Sequence, residues 1–267
     1  MKVSVLTPAY NVENYIKDTI DGILFQSFSD FEFIILDDNS KDNTFKIAKE
    51  YEAKDSRVKV FQNEDNLGIA GNRNKLISLA SGEYIAWQDA DDVSFYDRLE
   101  KQVKILDEDN SVGIVGGGLQ FFNDKVGDFS KRLYAAKDKE LRNKIFRYSP
   151  VAQPSAMIRK SVFEKVGLYD LKMPPAEDLD MSFRIGKYFK FANVADVVVR
   201  YREHDKSATF TRLRTIEKNT IAMRFRYAKD GYTMTTADKI YNYTQRVSMY
   251  VIPTKIKIWL FNKIRNK

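Results

Sequence analysis

Three apolar runs, each closing on polar or acidic residues, constrain this chain more than any other feature. Residues 2–6 run into Thr7-Pro8-Ala9-Tyr10-Asn11, residues 31–36 into Asp37-Asp38-Asn39-Ser40, and residues 83–87 into Gln88-Asp89-Ala90-Asp91-Asp92. Short runs rich in Val, Ile, Phe and Tyr read as buried strands. Residues 57–61 add a fourth. Between the strands, residues 13–25 carry Ile16, Ile20, Ile23 and Leu24 at helical spacing, and residues 42–51, 69–80 and 93–106 also read as helices. Four strands alternating with four helices predict a mainly parallel central sheet flanked by helices on both faces, a Rossmann-like α/β fold. Ligands bind outside the carboxyl ends of the strands in such sheets. The three polar strand ends are therefore expected along one edge.

After residue 106 the pattern loosens. Residues 112–122 read as a strand, with Gly116-Gly117-Gly118 marking a bend or a close backbone approach. Helices are expected over 137–146, 161–167 and 177–188, and strands over 156–158 and 191–201. Met173-Pro174-Pro175 forms a rigid loop between them. From Leu213 onward the chain reads as helical, with Pro253 separating the last two helices. The expected organisation is one domain over 1–205 and a basic, helical extension over 206–267.

Charge supports that division. The net charge of +7 is uneven: residues 206–267 hold 14 Lys/Arg against 3 Asp/Glu, while the rest of the chain is slightly acidic. Near its end, Lys255-Ile256-Lys257-Ile258-Trp259-Leu260-Phe261 interleaves cations with apolar side chains. That composition suits an anionic membrane surface, or a helix packing by its apolar stripe. Nucleic acid is not expected, because no reading motif accompanies the charge. No cysteine is present, which excludes disulfides and thiolate metal sites and fits a reducing compartment. No run of about 18 apolar residues occurs, and the first apolar run is too short for a signal peptide. The expected location is cytoplasmic, with peripheral attachment to the inner face of the cell membrane.

Asp89, Asp91 and Asp92 place three carboxylates within four residues. Such groups repel one another unless something positive lies between them, and a hard divalent cation is the economical answer. On that reading Asp89 and Asp91 hold a metal that holds a diphosphate. On the other, the stretch is a solvated turn with Asp92 capping the helix from 93. Asp37 to Ser40 likewise reads either as a ligand edge or as a turn and cap cluster.

Taken together, these stretches resemble the inverting family 2 nucleotide-sugar glycosyltransferases of the GT-A fold, over roughly residues 1–205. Carrying the resemblance are Val3 to Asn11, Gln26 to Glu32, Asp37 to Ser40, Asn66-Leu67-Gly68, Arg73-Asn74, Gly82 to Ile85 and Asp89 to Asp92. Further on come Glu177-Asp178 with Arg184, and Tyr201 to His204 with Ser207. The resemblance implies that Pro8, Tyr10 and Asn11 line the nucleotide, with Pro8 and Tyr10 packing on the base. Asp38 would accept the ring N–H of uracil or thymine. Asp89 would lie near the ribose, and Asp91 would ligate Mn²⁺ or Mg²⁺. His204 helps hold metal or diphosphate in some relatives. Arg73 would offset the diphosphate or form a structural ion pair.

The same resemblance makes Asp178 the general base and Glu177 an orienting group. A helix start would keep Asp178 ionised. Gln153-Pro154-Ser155 is similar to the segment at the acceptor or donor-sugar edge. The implied donor is a UDP- or dTDP-sugar, and the implied acceptor a glycan or polyprenyl-linked glycan, as in bacterial surface polysaccharide assembly. Asn39 departs from the pattern by standing where glycine is frequent. Trp87 is expected in the core and Trp259 at the surface. Two other functions stay open: a catalytically silent nucleotide-sugar-binding scaffold at a membrane, and a nucleotidyltransferase, which lacks its glycine-rich loop here.

Overall fold

The computed structural model describes residues 1–172, 175–204, 208–253, 256, 257, 260 and 263. Strands β1 (Val3–Ala9), β2 (Phe31–Asp37), β3 (Val58–Gln62) and β4 (Tyr84–Trp87) lie parallel in the order β3-β2-β1-β4. Ala9 pairs with Asp37 and Leu6 with Trp87, so the polar ends of β1, β2 and β4 emerge along one edge. Proline does not end β1, as the sequence had implied; the ladder continues through Pro8 and Ala9.

Side chains alternate across the sheet. Val3, Val5, Phe33, Ile35, Tyr84 and Ala86 face one core layer, and Leu6, Ile34, Leu36, Ile85 and Trp87 face the other. The first layer is covered by Ile16, Ile20 and Ile23 of α1 (Ile16–Leu24) and by Ala48 of α2 (Thr44–Glu52). The second is covered by Leu76 and Ile77 of α3 (Gly68–Leu79). Burial on both faces explains why these strands read as continuous apolar runs.

Glu32 is the exception in β2. Its buried carboxylate accepts bonds from Ser4 Oγ (2.6 Å), the Ser81 N–H and Oγ (both 2.7 Å) and Lys59 Nζ (2.7 Å). Burial alone would raise its pKa, but these four donors outweigh burial and hold it at about 2.

The expected helix over 93–106 begins later. Val93–Ser94 forms a short strand, β5, antiparallel to the last strand of the sheet, and α4 (Arg98–Glu108) follows Asp97. Asp92 is therefore not its cap. Beyond α4 come β6 (Val112–Asn123), β7 (Gly127–Arg132), α5 (Asp138–Arg142), β8 (Met157–Arg159), α6 (Lys160–Val166), α7 (Glu177–Gly186) and β9 (Lys190–Arg202). The sheet continues β4-β8-β6-β9-β5, with β8 antiparallel to both neighbours and β6 parallel to β9. Gly116 to Gly118 mark a close approach, as expected. The β6/β9 register shifts there, and a Cβ on Gly117 would lie 2.5 Å from Val198.

Helix α8 (Ala208–Tyr227) joins the same core through Met223 and Tyr227, and α9 (Thr236–Val251) is held beside it by polar contacts. Tyr227 stacks on Phe183 of α7 at 4.5 Å and donates its hydroxyl to Asp180 Oδ1 at 2.7 Å. Arg147 pairs with Asp238, and Asn242 Nδ2 donates to the Phe146 carbonyl. Among the described residues no helix is long and apolar enough to cross a membrane. Trp259, Ser207 and most of the stretch after Pro253 lie outside the described residues.

Candidate active site

The Asp89–Asp92 turn rests on a buried polar scaffold. Gln88 Nε2 donates to the carbonyls of Asp89 (3.0 Å) and Asp92 (2.9 Å). Its Oε1 accepts from Ser94 Oγ (2.6 Å) and Arg98 Nη1 (2.9 Å). Arg98 is fully buried, and its Nη2 donates to the Trp87 carbonyl at 2.6 Å. Burial lowers the Arg98 pKa to about 10, against the attraction of Asp89 and Asp92. The turn thus has its backbone oxygens tied down, which fixes where its carboxylates point.

Those three carboxylates have separate fates. Asp92 turns inward. Its Oδ1 accepts the Arg202 N–H at 2.8 Å, while its Oδ2 is buried without a partner among the described residues. Burial, then Asp91 and Asp89, raise its pKa well above the carboxylate range. Burial also raises Asp89 to about 6, with Arg73 opposing and Asp91 adding. Asp91 stays half-buried, with Oδ2 2.8 Å from His204 Nε2. His204 arrives from the end of β9, packed 5.0 Å from the Tyr15 ring, and its Nδ1 is buried without a partner among the described residues. Arg202 holds the same strand end to the turn by donating Nε to the Asp91 carbonyl at 2.9 Å.

The ends of β1 and β2 form the neighbouring part of the edge. The Asn11 N–H donates to Ser40 Oγ (2.9 Å), and its Oδ1 accepts the Lys41 N–H (2.8 Å), locking the two loops together. Asn39 adopts φ +64°, the left-handed region that asparagine tolerates. This accounts for a residue standing where glycine is frequent. Tyr10 is 48% exposed, beside a half-buried Pro8. Asp38 is buried: Oδ1 accepts from Asn63 Nδ2 (2.8 Å) and the Leu67 N–H (2.8 Å), and Oδ2 from the Gly68 N–H (3.1 Å). A carboxylate offers about four acceptor positions, so Oδ2 retains capacity for one more donor. The charge also sits at the start of α3, where it is favourable.

Across from the Asp89–Asp92 turn, Arg73 of α3 reaches Glu177 Oε1 at 2.7 Å, with both side chains buried. Its guanidinium lies 5.5 Å from the Trp87 ring and 5.4 Å from Tyr169. Glu177 Oε2 accepts the Ala176 N–H at 3.0 Å. Ala176 itself has φ +134°, a strained conformation for a residue with a Cβ. Asp178 Oδ1 accepts the Leu179 N–H at 2.8 Å. Burial, then Glu177, raise the Asp178 pKa, with Arg73 and backbone donors opposing. Burial thus outweighs the lowering influence of the backbone donors at this helix start.

The structure therefore gathers Asp89, Asp91, His204, Arg73, Glu177 and Asp178, and sets Pro8, Tyr10, Asn11 and Asp38 along the same sheet edge. Arg73 takes the structural ion pair. Sequence reasoning quoted Gln88 and Arg202 within their stretches without giving either a role, and did not single out Arg98 or Tyr169.

Residues 4–167 match the family model described as Glycosyl transferase family 2. An uncharacterized glycosyltransferase of Methanocaldococcus jannaschii is 33% identical over 218 residues, 79% of this chain and 74% of that protein. The UDP-Glc:alpha-D-GlcNAc-diphosphoundecaprenol beta-1,3-glucosyltransferase WfgD of Escherichia coli is 35% identical over 144 residues, 53% of this chain and 55% of that one. Among solved structures, the mannosyltransferase PcManGT of Pyrobaculum calidifontis, in complex with GDP-Man and Mn²⁺, superposes with a TM-score of 0.66 at 17% identity. That match covers 98% of this chain and 75% of the other. The fold is GT-A, and this chain is a glycosyltransferase belonging to glycosyl transferase family 2.

Proposed function

We propose that this enzyme moves a sugar, with inversion, from a UDP- or dTDP-sugar to a hydroxyl of a glycan or polyprenyl-linked acceptor in surface polysaccharide assembly. Residues 1–205 carry the chemistry. The observation that carries this reading is the split between two acidic clusters. Among the described residues, the Asp89–Asp92 turn has no lysine or arginine ion pair on its carboxylates, whereas Glu177 beside Asp178 is paired to Arg73. A region that concentrates uncompensated carboxylates suits a divalent cation carrying an anionic diphosphate. The second cluster leaves one carboxylate, Asp178, without an ion pair among the described residues and so available as a base.

The donor set fits the cation. Asp91 supplies a carboxylate oxygen and His204 an imidazole nitrogen, and among the described residues no third His, Asp or Glu converges with them. Two protein ligands suit a metal whose remaining positions go to diphosphate oxygens and water. Mn²⁺ or Mg²⁺ bound there supplies Lewis-acid stabilisation to the leaving diphosphate. Arg73 tempers the field of the neighbouring Asp89 from the other side. Tyr10 and Pro8 offer an apolar platform to the base, and Asp38 Oδ2 accepts a ring N–H. Asp178 takes the proton of the acceptor hydroxyl as the oxocarbenium-like centre is attacked. Its raised pKa brings it nearer the proton it must accept. Glu177 is occupied by Arg73 and the Ala176 N–H, so it positions the first turn of α7. The relative WfgD, whose name specifies a UDP-sugar and a diphosphoundecaprenol acceptor, supports both choices of substrate class.

Thermal unfolding of the purified chain with UDP, dTDP, GDP and CDP, each with and without Mn²⁺, tests this reading. A ligand that binds only the folded state raises its midpoint. Metal-dependent stabilisation by UDP or dTDP is expected. Stabilisation by GDP alone would move the donor class, and no shift with any nucleotide would overturn nucleotide binding altogether; metal-dependent hydrolysis of the donor separates the enzyme from a catalytically silent nucleotide-sugar-binding scaffold.

A further inference from the structure

Helix α9 has its amphipathicity reversed. At about 100° per residue, Asp238, Asn242, Gln245 and Met249 fall on one face. That face is turned inward and held by polar bonds. Asp238 pairs with Arg147, Asn242 Nδ2 donates to the Phe146 carbonyl, and Arg224 donates to Asn242 Oδ1 and Gln245 Oε1. The opposite face carries Ile240, Tyr243, Val247, Tyr250 and Val251, between 56% and 80% exposed. They form one stripe about 100° wide. A surface helix ordinarily buries its apolar stripe. Here the polar side is inside and fully engaged, so rotation of α9 cannot hide the stripe.

The charges beside the stripe are of one sign. Lys239 and Arg246 lie together along one border and are exposed. The only acidic residue of α9, Asp238, is buried in its ion pair and capping box. The two other acids after residue 206 are also engaged, Glu217 with Lys257 and Asp230 with Lys187. What this part of the molecule presents outward is therefore apolar and tyrosine surface bordered by cations. The partner that complements both is an anionic lipid surface, into which the side chains insert while the cations meet headgroup phosphates. Lys257 is drawn toward Glu217 of α8, and Gln245 on the inward face also donates to Glu217. Lys257 thus lies on the side of α9 away from the stripe.

We propose that the outward face of α9 is a membrane-docking surface selective for anionic lipid. It is set in a fixed relation to the catalytic groups, because α8 holds α7 through Tyr227 and Asp180, and Asn219 donates to the Pro175 carbonyl just before Asp178. The inference stands on α9 and does not require the donor or base assignments above.

The test is flotation of the full chain with vesicles of phosphatidylglycerol in phosphatidylcholine, and of phosphatidylcholine alone. Binding to the anionic vesicles, weakened by salt, is expected. Val247→Glu with Tyr250→Glu should lower the bound fraction at least about tenfold. Lys239→Gln with Arg246→Gln should weaken it about fivefold per charge at low salt. All four positions are exposed, so an unchanged unfolding midpoint and intact nucleotide-dependent stabilisation show that the variants fold. Equal binding by parent and variants would overturn the proposal. So would a parent that is dimeric by light scattering and becomes monomeric with the glutamates, without vesicle binding. Binding that arises only after residues 258–267 are deleted would show that the tail covers the stripe, and would also overturn it.

Discussion

The Asp89–Asp92 turn and the Glu177–Asp178 helix start are both acidic and lie close enough to share the field of Arg73. They handle their charge in opposite ways. At the turn, the protein spends its hydrogen bonds on the backbone: Gln88, Arg98 and Arg202 all donate to carbonyls, and only Asp92 is drawn inward. At the helix start, the charge itself is matched, with Arg73 bound to Glu177 and set beside the edge-on pair of Trp87 and Tyr169 rings. One cluster is a rigid frame around unmatched charge. The other is a matched pair that leaves a single carboxylate beside it. Neighbouring acids can thus be given different chemistry by what their neighbours bond to, without a change of residue type.

Breaking the matched pair should have the largest effect. Arg73→Leu leaves Glu177 charged and buried, and should cost about 3–5 kcal/mol of stability by chemical denaturation. Arg73→Leu with Glu177→Leu should recover much of that loss. A double variant as unstable as the single one would mean that Arg73 is held by packing on the rings and not by charge.

Glu32 sharpens the comparison as a carboxylate fully matched outside the site. Its folded pKa, about 2, lies below the ordinary value of 4.5. Its contribution is therefore complete above about pH 4.5 and is lost as pH falls toward 2. The loss should be about 3 kcal/mol, read from denaturation midpoints across that window. Glu32→Gln should flatten that part of the profile, and an unaltered profile would remove Glu32 from the explanation.

Asp178→Asn should lower turnover on the order of 10²-fold while leaving donor-dependent stabilisation intact. In the parent, the acidic limb of kcat against pH should lie above the ordinary carboxylate range, because burial and Glu177 raise this group. Near-normal turnover in the variant would move the base elsewhere. Asp91→Asn should abolish the part of nucleotide stabilisation that needs Mn²⁺, worth about 2.7 kcal/mol at a hundredfold excess over Kd. Retention of the metal effect would take Asp91 out of the metal site.

Much of the first half of the sheet was legible in advance. Buried parallel strands are continuous apolar runs because both faces are covered, so β1, β2 and β4 and their polar ends could be read directly. β5 and β7 were not read. Val93–Ser94 is a two-residue strand whose partner, β9, lies about a hundred residues away, and β7 is an exposed hairpin arm with no buried face to impose a period. The candidate acids were visible as a cluster, but their individual states were not. Asp92 looked like a helix cap and is instead a buried acceptor for Arg202.

Local pattern determined the elements, the sheet edge that gathers the polar ends, and the residue types available there, because helix and strand periods and strand-end chemistry are properties of neighbours in sequence. Tertiary structure alone decided that Arg73 meets Glu177 across 104 positions, that His204 reaches Asp91 across 113, and that α9 turns its polar face inward. Burial and pairing are set by what lies across the fold, and those set the charge of each acid and the surface the C-terminal helices leave outward.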